Sequence, residues 1–150
     1  MTSLPQTPAE IENYLYEKIP LTRWMEIRVG FGPAGELVLS APEGVNHNHL
    51  GTIFGGSLCA LATVAGYTFL WLKLGDGDAH VVIQEGHAVY RRPVAGEFRA
   101  RVREPEAAEW KKFHHQYLRR GKGRLTLSVE VSGENSAAGM EFRGLFVASL

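Results

Sequence analysis

Between Phe54 and Leu72 the chain carries no charged side chain, and apolar residues occur all round the helical repeat rather than along one stripe. That pattern predicts a long helix, from about Phe54 to Leu74, at the centre of the molecule. On both sides of it polar and apolar residues alternate with a period of two, the mark of half-buried strands. The alternating stretches are Trp24 to Phe31 (in part), Glu36 to Ala41, Ala79 to Arg92, Glu97 to Arg103, Arg124 to Val131 and Met140 to Leu150. In the third of these, Ile83, Glu85, His87 and Val89 share one face, and Gln84, Gly86, Ala88 and Tyr90 the other. Helical spacing returns twice. Thr7-Pro8-Ala9-Glu10 has the form of a capping box with proline at the first helical position, predicting a helix from Pro8 to about Ile19 that Pro20 stops. Trp110, Phe113, His114, Tyr117 and Leu118 predict a second, inserted helix within Glu104 to Arg120, closed by Gly121-Lys122-Gly123. Gly32 to Gly35, Gly75 to Asp78, Pro93 to Gly96 and Ser132 to Gly139 read as turns.

One long helix wrapped by a mostly antiparallel sheet is an α+β layout. No internal repeat or linker divides it, so residues 1–150 read as a single domain. The open edges of such a sheet need cover, which points to pairing of two copies. Composition adds little to this picture: 45% hydrophobic and 21% charged residues are ordinary for a globular protein. Charge excludes more. Sixteen basic and sixteen acidic residues cancel, which argues against nucleic acid or an anionic membrane surface as partner. The central apolar run has nearly the length of a membrane span, but glycines, threonines and a serine dilute it and strand-like segments flank it, so it reads as a core helix. A single cysteine, Cys59, excludes an internal disulfide, and Met1 to Glu10 lacks the basic start and apolar core of a secretory signal. The expectation is a cytoplasmic protein.

The chemistry concentrates where the polar loop Asn48-His49-Leu50-Gly51-Thr52-Ile53 meets the start of the long helix at Phe54-Gly55-Gly56-Ser57. The first N–H groups of a helix lack internal partners and carry partial positive charge. Glycine there lets another group approach the backbone. Together they make a donor site that can polarise a carbonyl or hold an oxyanion.

Asn48-x-x-Gly51-Thr52-x-Phe54-Gly55-Gly56 resembles the signature loop of hot-dog fold acyl thioesterases. More narrowly, the chain resembles the thioesterase family typified by the C-terminal domain of YiiD. Phe54-Gly55-Gly56-Ser57-Leu58 with Ala65-Gly66, then Glu85-x-His87 leading to Tyr90-Arg91-Arg92-Pro93-Val94-x-Gly96, then Arg119-Arg120-Gly121-Lys122-Gly123-Arg124 match it in order. The resemblance implies a hot-dog fold, an obligate homodimer (with a dimer of dimers as a further option), and an active site between subunits. It also implies substrates that are acyl groups on coenzyme A or acyl carrier protein, with no cofactor beyond the coenzyme A or phosphopantetheine of the substrate itself. Carried over by position, Gly55 offers its N–H to the thioester carbonyl, and Asn48 orients the attacking water or binds the same carbonyl.

One position departs from the pattern. Many related thioesterases carry a carboxylate two turns beyond the glycines, where this chain has Thr63. Threonine is no base at neutral pH. Glu85 and His87, two residues apart on one strand face, are the candidate base and its orienting partner. Arg91, Arg120, Lys122 and Arg124 are candidates for the phosphates of coenzyme A or the acidic face of a carrier protein. His47 and His49 lack the further ligands that a metal site needs and read as loop residues, so no metal is expected. Cys59 reads as a small buried hydrophobe. Three functions fit: an acyl-thioester hydrolase; a decarboxylase of malonyl thioesters, for which a donor pair without a base suffices; and a non-catalytic, dimeric acyl-binding module.

Overall fold

A computed structural model describes residues 3–134 and 137–150. Its first helix, α1 (Pro8–Lys18), starts on the capping box: the Thr7 hydroxyl accepts from the Glu10 N–H at 3.2 Å, and the Glu10 carboxylate accepts from the Thr7 N–H at 3.2 Å. Ile11 and Leu15 are its buried face. The next stretch corrects an expectation. Trp24 does not begin a strand; Pro20 opens a one-turn helix, α2 (Leu21–Trp24), and Glu26 then takes a left-handed φ of 57°. Only after that reversal does β1 (Arg28–Phe31) start. Met25, Ile27 and Val29 are buried as their alternation predicts, but Phe31 is half-exposed.

After β2 (Leu37–Ala41) comes α3 (Gly55–Leu74), ended by Gly75 in the left-handed region, and then β3 (His80–Tyr90) and β4 (Phe98–Val102). The inserted helix α4 covers Ala107–Arg120, starting two residues beyond Pro105. β5 (Lys122–Ser132) and β6 (Ala138–Ser149) complete the chain. β5 starts inside the expected Gly121–Gly123 turn, because Gly121 alone caps α4 in the left-handed region and Lys122 already pairs with Ser149. The turn expected from Ser132 to Gly139 lies partly outside the described residues.

The six strands form one antiparallel sheet in the order β1-β2-β4-β5-β6-β3. α3 lies across one face and touches β2, β3, β4, β5 and β6. The helix-facing positions make the core: Leu39, Phe98, Ala100, Leu127, Val129 and Phe146 are all buried. By length and composition α3 could cross a membrane, but here half of its apolar window is buried inside the protein. It is the core helix that the charge-free run predicts. Close approach of helix and sheet depends on Gly66, since a Cβ there would stand 2.6 Å from Cε2 of Phe146.

The two sheet edges differ. At β1, four residues long, Glu12 of α1 accepts from the Val29 N–H at 3.0 Å and from Arg28 at 3.1 Å, so a helix covers that edge. β3, eleven residues long, pairs with β6 on one side and, among the described residues, has no strand on the other, with Val82 and Tyr90 exposed. α4 is tied to the far end of α3, where the Tyr117 hydroxyl donates to Asp76 at 2.7 Å and the Lys73 ammonium sits 4.8 Å over the Trp110 ring.

Candidate active site

The loop that delivers the chain to α3 is built on two asparagines. Asn46 is buried, and its side-chain amide donates to the Met25 carbonyl at 3.0 Å and the Pro42 carbonyl at 2.9 Å. Its own carbonyl accepts from the Phe54 N–H at 2.8 Å, one residue before the helix. Asn48 works within the loop. Its Oδ1 accepts from the N–H groups of Leu50 (2.9 Å) and Thr52 (3.1 Å), and its Nδ2 donates to the Thr52 hydroxyl at 2.8 Å. With both lone pairs of Oδ1 engaged, what Asn48 has left to offer a ligand is the second Nδ2 hydrogen. Ile53 is held by the Val94 carbonyl at 2.8 Å.

At the helix start, the Ser57 and Leu58 N–H groups turn back to the Phe54 carbonyl at 2.9 and 3.1 Å. Among the described residues, the N–H groups of Gly55 and Gly56 have no acceptor, as the first turn of a helix requires. Neither glycine has a positive φ. Their value is close approach: the Tyr90 ring lies 3.4 Å from where a Gly55 Cβ would stand, and a Gly56 Cβ would meet the Phe54 ring. Phe54 is exposed and able to swing aside, so the second constraint is the softer one.

A cleft of about 250 Å³ opens between α3 and the free edge strand. Cys59 and Thr63 line it from the helix; Ile83, Gln84, Glu85, Gly86 and Ala88 line it from β3. The Thr63 hydroxyl donates to the Cys59 carbonyl at 2.9 Å, a back-bond along the helix that leaves its oxygen able to accept. Cys59 is half-buried on the cleft wall, not sealed in the core as its apolar surroundings predict.

The strand face carrying Glu85 and His87 needs a correction. A bulge interrupts β3: Ile83 pairs with Phe146 and Glu85 with Leu145, leaving Gln84 unpaired. The extra residue reverses the parity, so Ile83 stays with the helix-facing side while Glu85, His87 and Val89 lie on the outer face. Gly86, between them, points inward; a Cβ there would touch the Phe142 ring at 3.3 Å. Glu85 and His87 do share a face, in a hollow of about 330 Å³ with Thr126 and Arg143. Glu85 sits at the rim between that hollow and the Thr63 cleft, whereas His87 borders hollows of the outer face and does not line that cleft. Within one protomer, then, Gly55 and Thr63 are on the helix side of the sheet and His87 on the other.

Of the basic candidates, Arg120, Lys122 and Arg124 converge with Lys112 on a groove of about 680 Å³ between α4 and β5, with Glu109 as the one acidic wall. Arg124 also donates to the Gln84 side chain at 3.1 Å. Arg91 is elsewhere, ion-paired with Glu141 at 3.1 Å on the outer face. The residues that pattern reading missed are Asn46 and Tyr90. A buried loop asparagine looks like its neighbours in sequence, and Tyr90 gains meaning only from α3 lying beneath it.

A long helix laid across one face of an antiparallel sheet, with a glycine pair at its start, is the layout of the hot-dog fold. The family described as putative thioesterase (yiiD_Cterm) matches residues 8–150, and the chain belongs to it. Among solved structures, the putative thioesterase of Shewanella oneidensis is 27% identical, superposes with a TM-score of 0.82, and is matched over 95% of this chain and 97% of its own. A protein of unknown function from Chlorobaculum tepidum TLS is 25% identical with a TM-score of 0.85, over 95% of this chain and 96% of its own. The Haemophilus influenzae thioesterase HI1161, 16% identical over 97% of this chain and 92% of its own, shares the fold with a TM-score of 0.69.

Proposed function

We propose that this thioesterase hydrolyses acyl thioesters of coenzyme A or acyl carrier protein, as a homodimer joined along β3. The observation that carries the reading is the pair of N–H groups at Gly55 and Gly56, without acceptors among the described residues, one helical turn before Cys59, which lines the cleft with Thr63. A thioester carbonyl held there is polarised by the donors and the helix dipole, and the tetrahedral oxyanion is held more tightly than the ground state. Water adds to the carbonyl carbon, the C–S bond breaks, and the proton lost by water ends on the thiolate. Glu85, at the rim of the cleft, is the base this reading assigns, with His87 as its neighbour. The groove of Lys112, Arg120, Lys122 and Arg124 suits phosphates. A free eleven-residue edge supports the dimer: a strand pairing with its own copy about a two-fold axis perpendicular to the sheet runs antiparallel and removes both exposed edges.

A second reaction on the same substrate class is favoured by one observation: α3 brings Thr63, not a carboxylate, to the cleft. Donors without a base stabilise a thioester enolate, so a malonyl thioester there loses carbon dioxide and keeps its C–S bond. A panel of acyl-CoA, acyl-carrier and malonyl thioesters tests both. Free thiol with carboxylic acid is the expected product; carbon dioxide with an intact thioester moves the assignment to decarboxylation. Saturable binding without turnover leaves an acyl-binding module. With a hydrolysed substrate in hand, Glu85→Gln is expected to lower kcat roughly 10²-fold. Full activity in both Glu85→Gln and His87→Ala removes these two residues from the chemistry.

A further inference from the structure

We propose that Tyr90 is a hydrogen-bond donor to the thioester carbonyl, a side-chain member of the donor set that includes the Gly55 and Gly56 N–H groups. The inference rests on the thioester reading of that site. Tyr90 is the last residue of β3, on its helix-facing side opposite Met140. Its ring lies against Gly55, and its hydroxyl donates to the Gly55 carbonyl at 3.3 Å. That is long for a bond between two oxygens, whose usual separation is about 2.7–2.8 Å, so the hydroxyl is held in place yet loosely engaged. A better acceptor arriving at the helix start draws it away at little cost. Half the residue is exposed in the protomer, so a ligand can reach it. Burial of the phenol, with Cys59 beside it, pushes its pKa above the ordinary tyrosine value. Tyr90 is therefore a protonated donor throughout the neutral range and never a base there. Such a role fits a site whose helix supplies a threonine in place of a carboxylate: the electrophile is strengthened where the base is weak.

Tyr90→Phe isolates the hydroxyl, because it keeps the ring against Gly55 and removes only the long hydrogen bond to the Gly55 carbonyl and the contact with Cys59, so the melting temperature should hold. The expected kinetic result is a fall in kcat of roughly 10²-fold with KM nearly unchanged, the effect of removing one oxyanion donor. The second readout is vibrational. A ketone analogue, with the thioester sulfur replaced by CH2 and a 13C-labelled carbonyl, should show its C=O stretch lowered in the wild-type complex and moved back toward the free value in Tyr90→Phe. If Tyr90→Phe keeps full kcat and the same stretch, the ring only packs and the proposal is overturned. If wild type turns over no thioester but the bound carbonyl still loses its shift in Tyr90→Phe, the donor assignment stands and hydrolysis falls. If wild type neither turns over thioesters nor binds the ketone, both fall.

Discussion

Gly66→Val is expected to lower stability by about 3 kcal/mol, seen as a melting temperature roughly 6–12 °C below wild type. Phe146 is fully buried, and its ring edge lies where a side chain on Gly66 would have to stand. Alanine in place of glycine would by itself favour the helix by about 1 kcal/mol. That gain is too small to offset a Cβ 2.6 Å from an aromatic carbon that has no room to retreat. Gly66→Ala should therefore be destabilised as well, though less than Gly66→Val. The cause can be isolated by a double-mutant cycle with Phe146→Leu, which shortens the obstructing ring. Gly66→Ala should cost less in that background than in wild type, by a coupling of roughly 1–2 kcal/mol. Strict additivity would mean that α3 and β6 are not in the tight contact described.

Much of this architecture was readable because helix and strand periods are written in the sequence. The charge-free run became α3, the capping box became α1, and the alternation of Leu125, Leu127, Val129 and Val131 became the buried face of β5. The failures share one cause. Alternation says which residues share a face only while the strand stays regular, and one unpaired residue at Gln84 was enough to separate Ile83 from Glu85. In the same way Met25 and Ile27 are buried in step, but a one-turn helix and a left-handed Glu26 precede the strand rather than a regular extension from Trp24. Both are backbone irregularities that leave the hydrophobic pattern nearly intact.

The site was legible to a different depth. Gly55 and Thr63 lie eight residues apart on one helix, a separation that sequence spacing sets directly. The partners that give them meaning come from elsewhere in the chain: Tyr90 from the end of β3, Gln84 and Glu85 from its bulge. Asn48, which the signature loop puts at the carbonyl, also holds the loop together, its Oδ1 accepting from two loop N–H groups. Loop and site are thus one structure, and a residue that shapes the loop affects catalysis without touching substrate.

Asn46 is such a residue, and Asn46→Ala should be severe in both respects. Its amide is the donor that the structure gives to the Met25 and Pro42 carbonyls, joining the end of β2 to the segment before β1. Alanine leaves the buried Met25 carbonyl and the partly buried Pro42 carbonyl without that donor, a loss of roughly 2–3 kcal/mol. The Phe54 N–H would keep its bond to the backbone of residue 46, but that backbone would no longer be anchored, so kcat should fall along with stability. Asn46→Asp separates donor loss from shape loss, since it keeps the volume and replaces the NH2 by an oxygen facing two carbonyls. Its carboxyl pKa in the folded protein would rise, because the ionised form is buried against negative dipoles while the protonated form can still donate one hydrogen bond. Stability should then be greatest below the unfolded carboxyl pKa of about 4 and decline above it, levelling off once the folded group also ionises. Thermal melts of wild type and Asn46→Asp from about pH 4 to 8 would show the two curves diverging as pH rises. Parallel curves would mean that position 46 is solvated and that the loop is anchored by some other contact.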